Sequence, residues 1–424
     1  MKTKDSYKWE LIGLLWLAYF CNQADRMVYN TVLPQIRAEL GLSDVHAGLV
    51  ASLFIVTYAL FVPVAGYLGD VFRRKSIIFW SLLFWSAATI LSGISTGLFM
   101  LILFRSLATG GGEAFYYPSA NSLISQYHKK TRALAMSIHQ TALYVGIVSS
   151  GWISGWIAEN YGWRSAFFAF GSFGVLLAML ILWRVRPDLP GQTGQSSEPK
   201  ETAPIVPVSE ALKAILRTPS VLAIWIGFAT ANFVALGYLT WAPSFLQEKF
   251  HQLPKEAGFN STFYHHVFAF VGVLVGARIA DLWSRRRQGA RLEIQAFGLL
   301  LCVPFVLLMA LADKAFWCYV GLAGFGLFRG VFESNLFASL FDVVAPKYRA
   351  TAVGLMLSVG FVISSGSPIL VGILKEPIGF SYALACLAPI FLIAALALTL
   401  ARLFWLHKDF VPEPDGPGEV QSAE

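Results

Sequence analysis

Charge is what this sequence has least of. Lys, Arg, Asp and Glu together make up 13% of its 424 residues, against about a quarter in ordinary soluble domains. Hydrophobic residues make up 56%, and they come in long runs that a soluble core could not absorb. Cysteine is also scarce. Cys21, Cys302, Cys318 and Cys386 lie in or beside apolar stretches with no metal-ligand spacing, which argues against both a disulfide framework and a thiolate metal centre. Glycine-rich "TGGGEAF" (Thr109 to Phe115) lacks the Lys-Ser/Thr ending of a phosphate-cradling loop, and neither a nucleophile elbow nor a metalloprotease helix is present. An enzyme is therefore not expected, nor a cofactor or a bound metal.

What the sequence has in abundance is apolar runs of about 20 residues, the length a helix needs to cross ~30 Å of hydrocarbon. Examples are "IIFWSLLFWSAATILSGI" and "AFFAFGSFGVLLAMLILW". Twelve spans are predicted, near 10–35, 47–70, 76–97, 99–124, 132–157, 164–185, 219–245, 259–283, 292–312, 315–342, 350–374 and 380–405. The expected fold class is all-α, a polytopic membrane protein. The first apolar stretch is long and no small-residue cleavage site follows it, so it reads as a span rather than a cleavable signal. The pI of about 9.2 could suggest nucleic acid, but the charge is distributed by side. Counting loops from an inside N-terminus, 22 of the 32 Lys and Arg fall at inner ends and six at outer ones (Arg37, Arg164, Lys249, Lys255, Lys314, Lys375). This is the positive-inside bias, which places both termini in the cytoplasm of a cell membrane, expected to be a bacterial inner membrane. No nucleic-acid partner is implied.

Composition divides the chain. Residues 1–186 form a first six-helix bundle, and 187–218 a polar, Pro/Gly/Ser-rich linker ending in a short amphipathic helix, "SEALKAILRT". Residues 219–408 form a second bundle, and 409–424 an acidic tail expected to be disordered. The bundles read as copies. "GYLGDVFRRK" after the second span matches "ARIADLWSRRR" after the eighth, with Asp70 and Asp281 211 residues apart. Arg132 and Arg349 are separated by 217, as are Gly162 and Gly379. Duplicated halves with a site between them are the architecture of many secondary transporters.

"GYLGDVFRRK" resembles the cytoplasmic signature loop of the major facilitator superfamily, and the second half carries a degenerate copy. The resemblance implies the twelve-helix major facilitator fold and a carrier working by alternating access as a monomer. It also implies a conformational latch built from Gly66, Asp70, Arg73 and Arg74, with Asp281 and Arg285 in the second copy. Carboxylate contacts to a helix N-terminus and to arginine forks can be made and broken between two states.

Once loop charges are set aside, six remain deep in the spans: Asp25 and Arg26, Arg105 and Glu113, Arg329 and Glu333. They fall on spans one, four and ten, which the resemblance places around the central cavity. Intramembrane charges are expensive and usually functional. Arg26, Arg105 and Arg329 are the candidate ligands of an anionic substrate, because guanidinium binds carboxylate bidentately and stays charged. Asp25, Glu113 and Glu333 are the candidate proton carriers. A carboxylate that loses its arginine to the substrate binds a proton more readily, which links the two affinities as symport requires. The structural alternative is plain ion pairing, as for Arg329 and Glu333 at i,i+4.

Two branches of the superfamily compete. "ADRMVYNTVLPQI" and "GGGEAFYYPSANSLI" resemble the anion:cation symporters of sugar acids and related organic anions. The same stretches with the signature loop also resemble Spinster-type lysolipid and sphingolipid carriers. In both branches the fourth-helix Arg and Glu usually stand seven residues apart. Here they stand eight apart, about 80° around an ideal helix, unless a bulge near Thr109–Gly112 restores the register. Polar and aromatic candidates for the cavity wall are Asn22, Tyr29, Tyr58, His139, Gln140, Asn232, Tyr238, Trp241 and Asn335, each of which could equally serve helix packing. The expected function is proton-driven uptake of a small organic anion such as a sugar acid, with lysolipid carriage or drug export as the alternative. The expected partners are that anion and the lipid bilayer.

Overall fold

The computed structural model describes residues 2–186, 208–284 and 286–411, without the side chains at 2–6, 70, 71, 133, 208, 209, 211 and 350. The central linker before Val208, Arg285 and the tail beyond Val411 lie outside the described residues.

Twelve long helical spans follow one another: α1 (Lys2–Leu40), α2 (Asp44–Val71), α3 (Arg74–Gly93), α4 (Leu98–Tyr127), α5 (Arg132–Tyr161), α6 (Trp163–Arg184), α7 (Pro219–Phe250), α8 (Pro254–Ser284), α9 (Ala290–Leu311), α10 (Ala315–Asp342), α11 (Thr351–Ile378) and α12 (Phe380–Asp409). Eleven are long and apolar enough to cross a membrane. The other, α1, carries Asn22, Gln23, Asp25 and Arg26 in its middle, which lowers its hydropathy without shortening it. No strand occurs among the described residues. A short helix, Val208–Leu216, precedes α7. It is tied to the α10–α11 connection by the Tyr348 hydroxyl, which donates to Glu210 (2.6 Å). That bond, helped by Lys347, holds the Glu210 carboxyl below the usual range.

The duplication is visible in the backbone. Gly162 joins α5 to α6 at φ 83°, ψ 157°, and Gly379 joins α11 to α12 at φ 82°, ψ 162°. Such a positive φ strains any residue with a Cβ, so the same turn at equivalent points of both halves explains why glycine recurs there.

The halves meet along α2–α11 and α5–α8. Near the end that carries the α1–α2 and α7–α8 turns, here called the far face, the backbones almost touch. A Cβ on Gly48 would strike Pro368, one on Gly372 the Asp44 carbonyl, and one on Gly151 the Gly258 carbonyl. Four charges close this face. Arg37 and Asp44 of the first half are 2.7 Å apart, Lys375 of the second reaches Asp44 at 3.0 Å and Glu248 at 2.8 Å, and Arg37 completes the ring to Glu248 at 3.2 Å. Lys255 pairs with Glu159 across the α5–α8 seam (3.3 Å). At the opposite or terminal face, which carries the start of α1 and the end of α12, Gly66 of α2 and Gly354 of α11 have no such neighbour within 4 Å. The halves are closed at the far face by these glycine contacts and ion pairs.

Candidate functional site

The eight-residue spacing on α4 is resolved by its backbone. Ile102–Ala108 is a π-helical segment, in which the Thr109 N–H and hydroxyl both reach back to the Phe104 carbonyl, five residues earlier. A wide turn absorbs one extra residue, so Arg105 and Glu113 return to the same side. The register correction is the wide turn that closes at Thr109, immediately before the glycines. The glycines serve packing instead: a Cβ on Gly110 would press on Phe54 of α2, and one on Gly112 on Phe84 and Trp85 of α3.

This α4 surface faces the polar middle of α1. Arg26 Nε donates to Glu113 Oε2 at 2.7 Å, and the Glu113 side chain is 0% exposed. Arg105, 4% exposed, donates to the Arg26 carbonyl (3.4 Å). Aromatic faces flank both guanidinium groups. Arg26 lies over Tyr58 (4.5 Å) and Phe54 (5.4 Å), and Arg105 over Phe54 (4.3 Å) and Tyr29 (5.5 Å). Cation–π attraction holds the arginines without consuming their hydrogen-bond donors. Arg105 Nε and Nη1, and Glu113 Oε1, are buried with no partner among the described residues. Arg26 and Arg105 line a cavity of about 100 Å³ between α1, α2, α4, α5 and α7, together with Gln23, Asn30 and Thr240.

Asp25 turns the other way. It is 2% exposed and accepts from Thr89 of α3 at 3.3 Å, with Oδ1 unpartnered. The structure thus brings Asp25, Arg26, Arg105 and Glu113 into one buried cluster, with Asp25 at its back against α3.

Most of the polar candidates are committed to packing. The Tyr29 hydroxyl donates to the Ala47 carbonyl (2.9 Å), Tyr238 to the Ser261 carbonyl, and Trp241 Nε1 to the Pro368 carbonyl (2.8 Å). All three side chains are buried. His139 stacks on Tyr19 and bonds Tyr116 at 3.0 Å. Because Tyr116 donates to the Leu15 carbonyl, His139 Nε2–H is the donor. Gln140 accepts from Tyr117, Asn22 from Gln23, and Asn232 donates back to the Phe228 carbonyl of its own helix. Asn335 braces α10 against the Gly276 carbonyl of α8 (3.4 Å). Of the wall candidates, Tyr58 stays against a site arginine and Tyr29 keeps its ring on the cavity. Sequence reasoning missed Phe54, which touches both arginines. It lies four residues before Tyr58, on the same face of α2, and that spacing was the available signal.

The tenth-helix pair stands apart. Arg329 and Glu333 pair on one helix, with side-chain exposures of 14% and 34%. His265 and His266 of α8 are buried nearby. His265 has both ring nitrogens unpartnered, and His266 hydrogen-bonds the Thr262 carbonyl (2.8 Å). No group of three or more metal-ligating side chains forms among the described residues.

Residues 15–368 match the sequence model of the Major Facilitator Superfamily. The chain belongs to that superfamily. It is therefore an integral, multi-pass membrane transporter and not an enzyme. Among curated superfamily members it is similar to protein spinster homolog 1 of Xenopus laevis, at 29% identity over 406 residues, 89% of this chain and 75% of that protein. It is also similar to the probable galactarate/D-glucarate transporter GudP of Bacillus subtilis, at 25% identity covering 89% of this chain and 87% of the other. Among solved structures, a bacterial homolog to the human lysosomal transporter Spinster, in an inward-facing and unoccupied conformation, matches with a TM-score of 0.84. That match has 22% identity and covers 96% of this chain and 99% of the other. It is a likeness of fold.

Of the latch residues that the resemblance implies, the Asp70 side chain and Arg285 lie outside the described residues. Arg73 and Asp281 are exposed, Arg74 is buried, and Gly66 faces open space.

Proposed function

We propose that this protein takes up a small organic anion, a sugar acid being the best fit, by proton-coupled symport through alternating access. The observation that carries the reading is Arg105: a nearly buried guanidinium on the wall of a cavity, with two nitrogens unpartnered and Arg26 beside it. A buried donor without an acceptor is costly, and a bound carboxylate supplies the acceptor. Gln23, Asn30 and Thr240 on the same wall suit hydroxyl groups. Glu113 is the proton carrier: it shares Arg26, so an anion that draws the arginine away raises the affinity of Glu113 for a proton. Asp25, at the back of the cluster, and Glu333 on α10 are the further candidates. The terminal face is the cytoplasmic one, on the strength of its basic loops, so the closed far face makes this conformation inward-facing. The protein then works as a monomer in a bacterial inner membrane, driven by the proton gradient. The likeness to a galactarate/D-glucarate transporter supports the substrate class.

A second reading, lysolipid carriage of the Spinster type or drug export, rests on the apolar remainder of the wall. Met27, Val50, Phe54 and Ile147 stand on one side of it, and Leu236 and Leu239 on the other.

Thermal shift of the purified protein with glucarate and with lysophosphatidylcholine, at two pH values, separates the readings. Stabilisation by glucarate that grows at the lower pH supports symport, and stabilisation by the lysolipid alone overturns it. In vesicles, Glu113→Gln is expected to abolish accumulation driven by a proton gradient while counterflow exchange persists. Accumulation that survives the substitution removes Glu113 from coupling.

A further inference from the structure

We propose that the groove formed by α2, α3 and α4 near the terminal face is a binding site for an anionic phospholipid of the surrounding bilayer. The site is separate from the transport cavity and independent of what is carried. The groove encloses about 580 Å³, with Phe61, Phe72, Trp80, Phe84 and Phe115 as walls and Gly111 and Gly112 as floor. It opens outward. One face of α3 is buried in the bundle through Ile78, Leu82 and Trp85, while Trp80 and Phe84 on the other are 63% and 54% exposed. The groove is a recess in the membrane-facing surface, where only a chain from the bilayer can enter.

Length and charge select the occupant. From Ser76 at the rim to Phe84 the groove follows eight residues of helix, about 12 Å, which matches most of one leaflet of a ~30 Å hydrocarbon core. Its rim coincides with the basic loop. Phe72 and Ser76 line the groove, and the residues between them are Arg73, Arg74 and Lys75. Arg73 is exposed and Lys75 half-buried. An acyl chain lying in the groove places its phosphate beside Arg73, at the depth where headgroups sit. The aromatic walls and glycine floor give the chain a shaped bed. The floor adjoins Glu113, so the bound chain supports α4 from behind, opposite the Arg26–Glu113 pair.

The test uses native mass spectrometry of the full-length protein in detergent, titrated with dioleoylphosphatidylglycerol or dioleoylphosphatidylcholine. The wild type is expected to retain one phosphatidylglycerol in preference to phosphatidylcholine. Arg73→Gln should cut that preference about fivefold, the factor expected of one cationic side chain near an anionic surface. Gly111→Leu fills the floor; a Cβ there meets only ordinary contacts from Thr57 and Phe61, so the protein should fold. It is expected to lose the retained lipid of either kind, whereas Leu176→Trp, on an exposed stretch of α6, keeps it. Equal retention of the two lipids by the wild type, an unchanged preference in Arg73→Gln, or undiminished retention in Gly111→Leu overturns the proposal.

Discussion

The two halves handle charge inside the membrane differently. In the N-terminal half, four ionisable side chains from α1 and α4 gather in one cluster, Asp25, Arg105 and Glu113 buried and Arg26 about a quarter exposed, and α2 covers the two arginines with aromatic rings. In the C-terminal half a single pair lies along α10, with a third of the Glu333 side chain exposed. The first arrangement cannot be taken apart one residue at a time without stranding a charge. The second can relax toward the space between the halves. A duplicated fold has thus kept its backbone turns alike at Gly162 and Gly379 while concentrating buried charge on one side.

The largest expected effect tests that asymmetry directly. Arg26→Ala leaves Glu113 without its partner in a site with no exposure, and should destabilise the protein by about 3–5 kcal/mol. Adding Glu113→Ala should recover much of the loss. Arg329→Ala should cost about 1 kcal/mol or less, because Glu333 can be solvated. Melting curves of the three variants measure the difference, and equal losses at Arg26 and Arg329 would erase the distinction drawn here.

Next in size is anion affinity. Arg105→Lys keeps the charge and loses the planar fork, so binding of a carboxylate substrate should weaken by about 1.5–3 kcal/mol. Arg329→Lys should cost less, since its guanidinium is already engaged by Glu333. Calorimetry with the substrate decides the matter. A loss at Arg329 as large as at Arg105 would mean the anion bridges the halves.

A smaller effect is expected at the far face. Lys375→Glu puts three acidic side chains and one arginine where two acidic and two basic ones now balance, so like charges repel where this face closes. The population open at that face should rise by a few-fold, read as a longer distance between spin labels on His46 and Glu376. An unchanged distance distribution would leave closure to the glycine contacts alone.

The smallest concerns Glu210. Its carboxyl is held below the ordinary range chiefly by the Tyr348 hydroxyl. That stabilisation is present above the unfolded-state value near 4.3 and is lost as the pH falls through the lower folded value. Tyr348→Phe should therefore narrow the difference in melting temperature between neutral and acidic pH. An unchanged difference would show that the bond adds nothing.

Much of this is legible in the sequence. Run length marked the spans, and the paired loops marked the duplication. The expense of Arg105 and Glu113 in an apolar stretch marked the buried cluster. What misled was identity without direction. Tyr29, Tyr238 and Trp241 are polar enough to bind a sugar, but their donors turn to backbone carbonyls of neighbouring helices, and nothing in one helix's sequence reveals which neighbour will be there. Asp25 reads like Arg26, one residue on. Yet adjacent residues on a helix point about 100° apart, and that angle sends Asp25 to Thr89 and Arg26 to Glu113.

Composition and periodicity by themselves determined the solvent, the helices, the two-fold plan and the short inventory of charges, because hydrocarbon tolerates so few alternatives. Tertiary structure alone decided which charges meet. The π-helical segment at Ile102–Ala108 turned an eight-residue spacing into a shared face. The approach of α2 to α11 gathered Arg37, Asp44, Glu248 and Lys375, residues spread over more than 300 positions, into one closed ring. Both depend on how one helix surface fits another, a property of pairs of helices that no single stretch of chain contains.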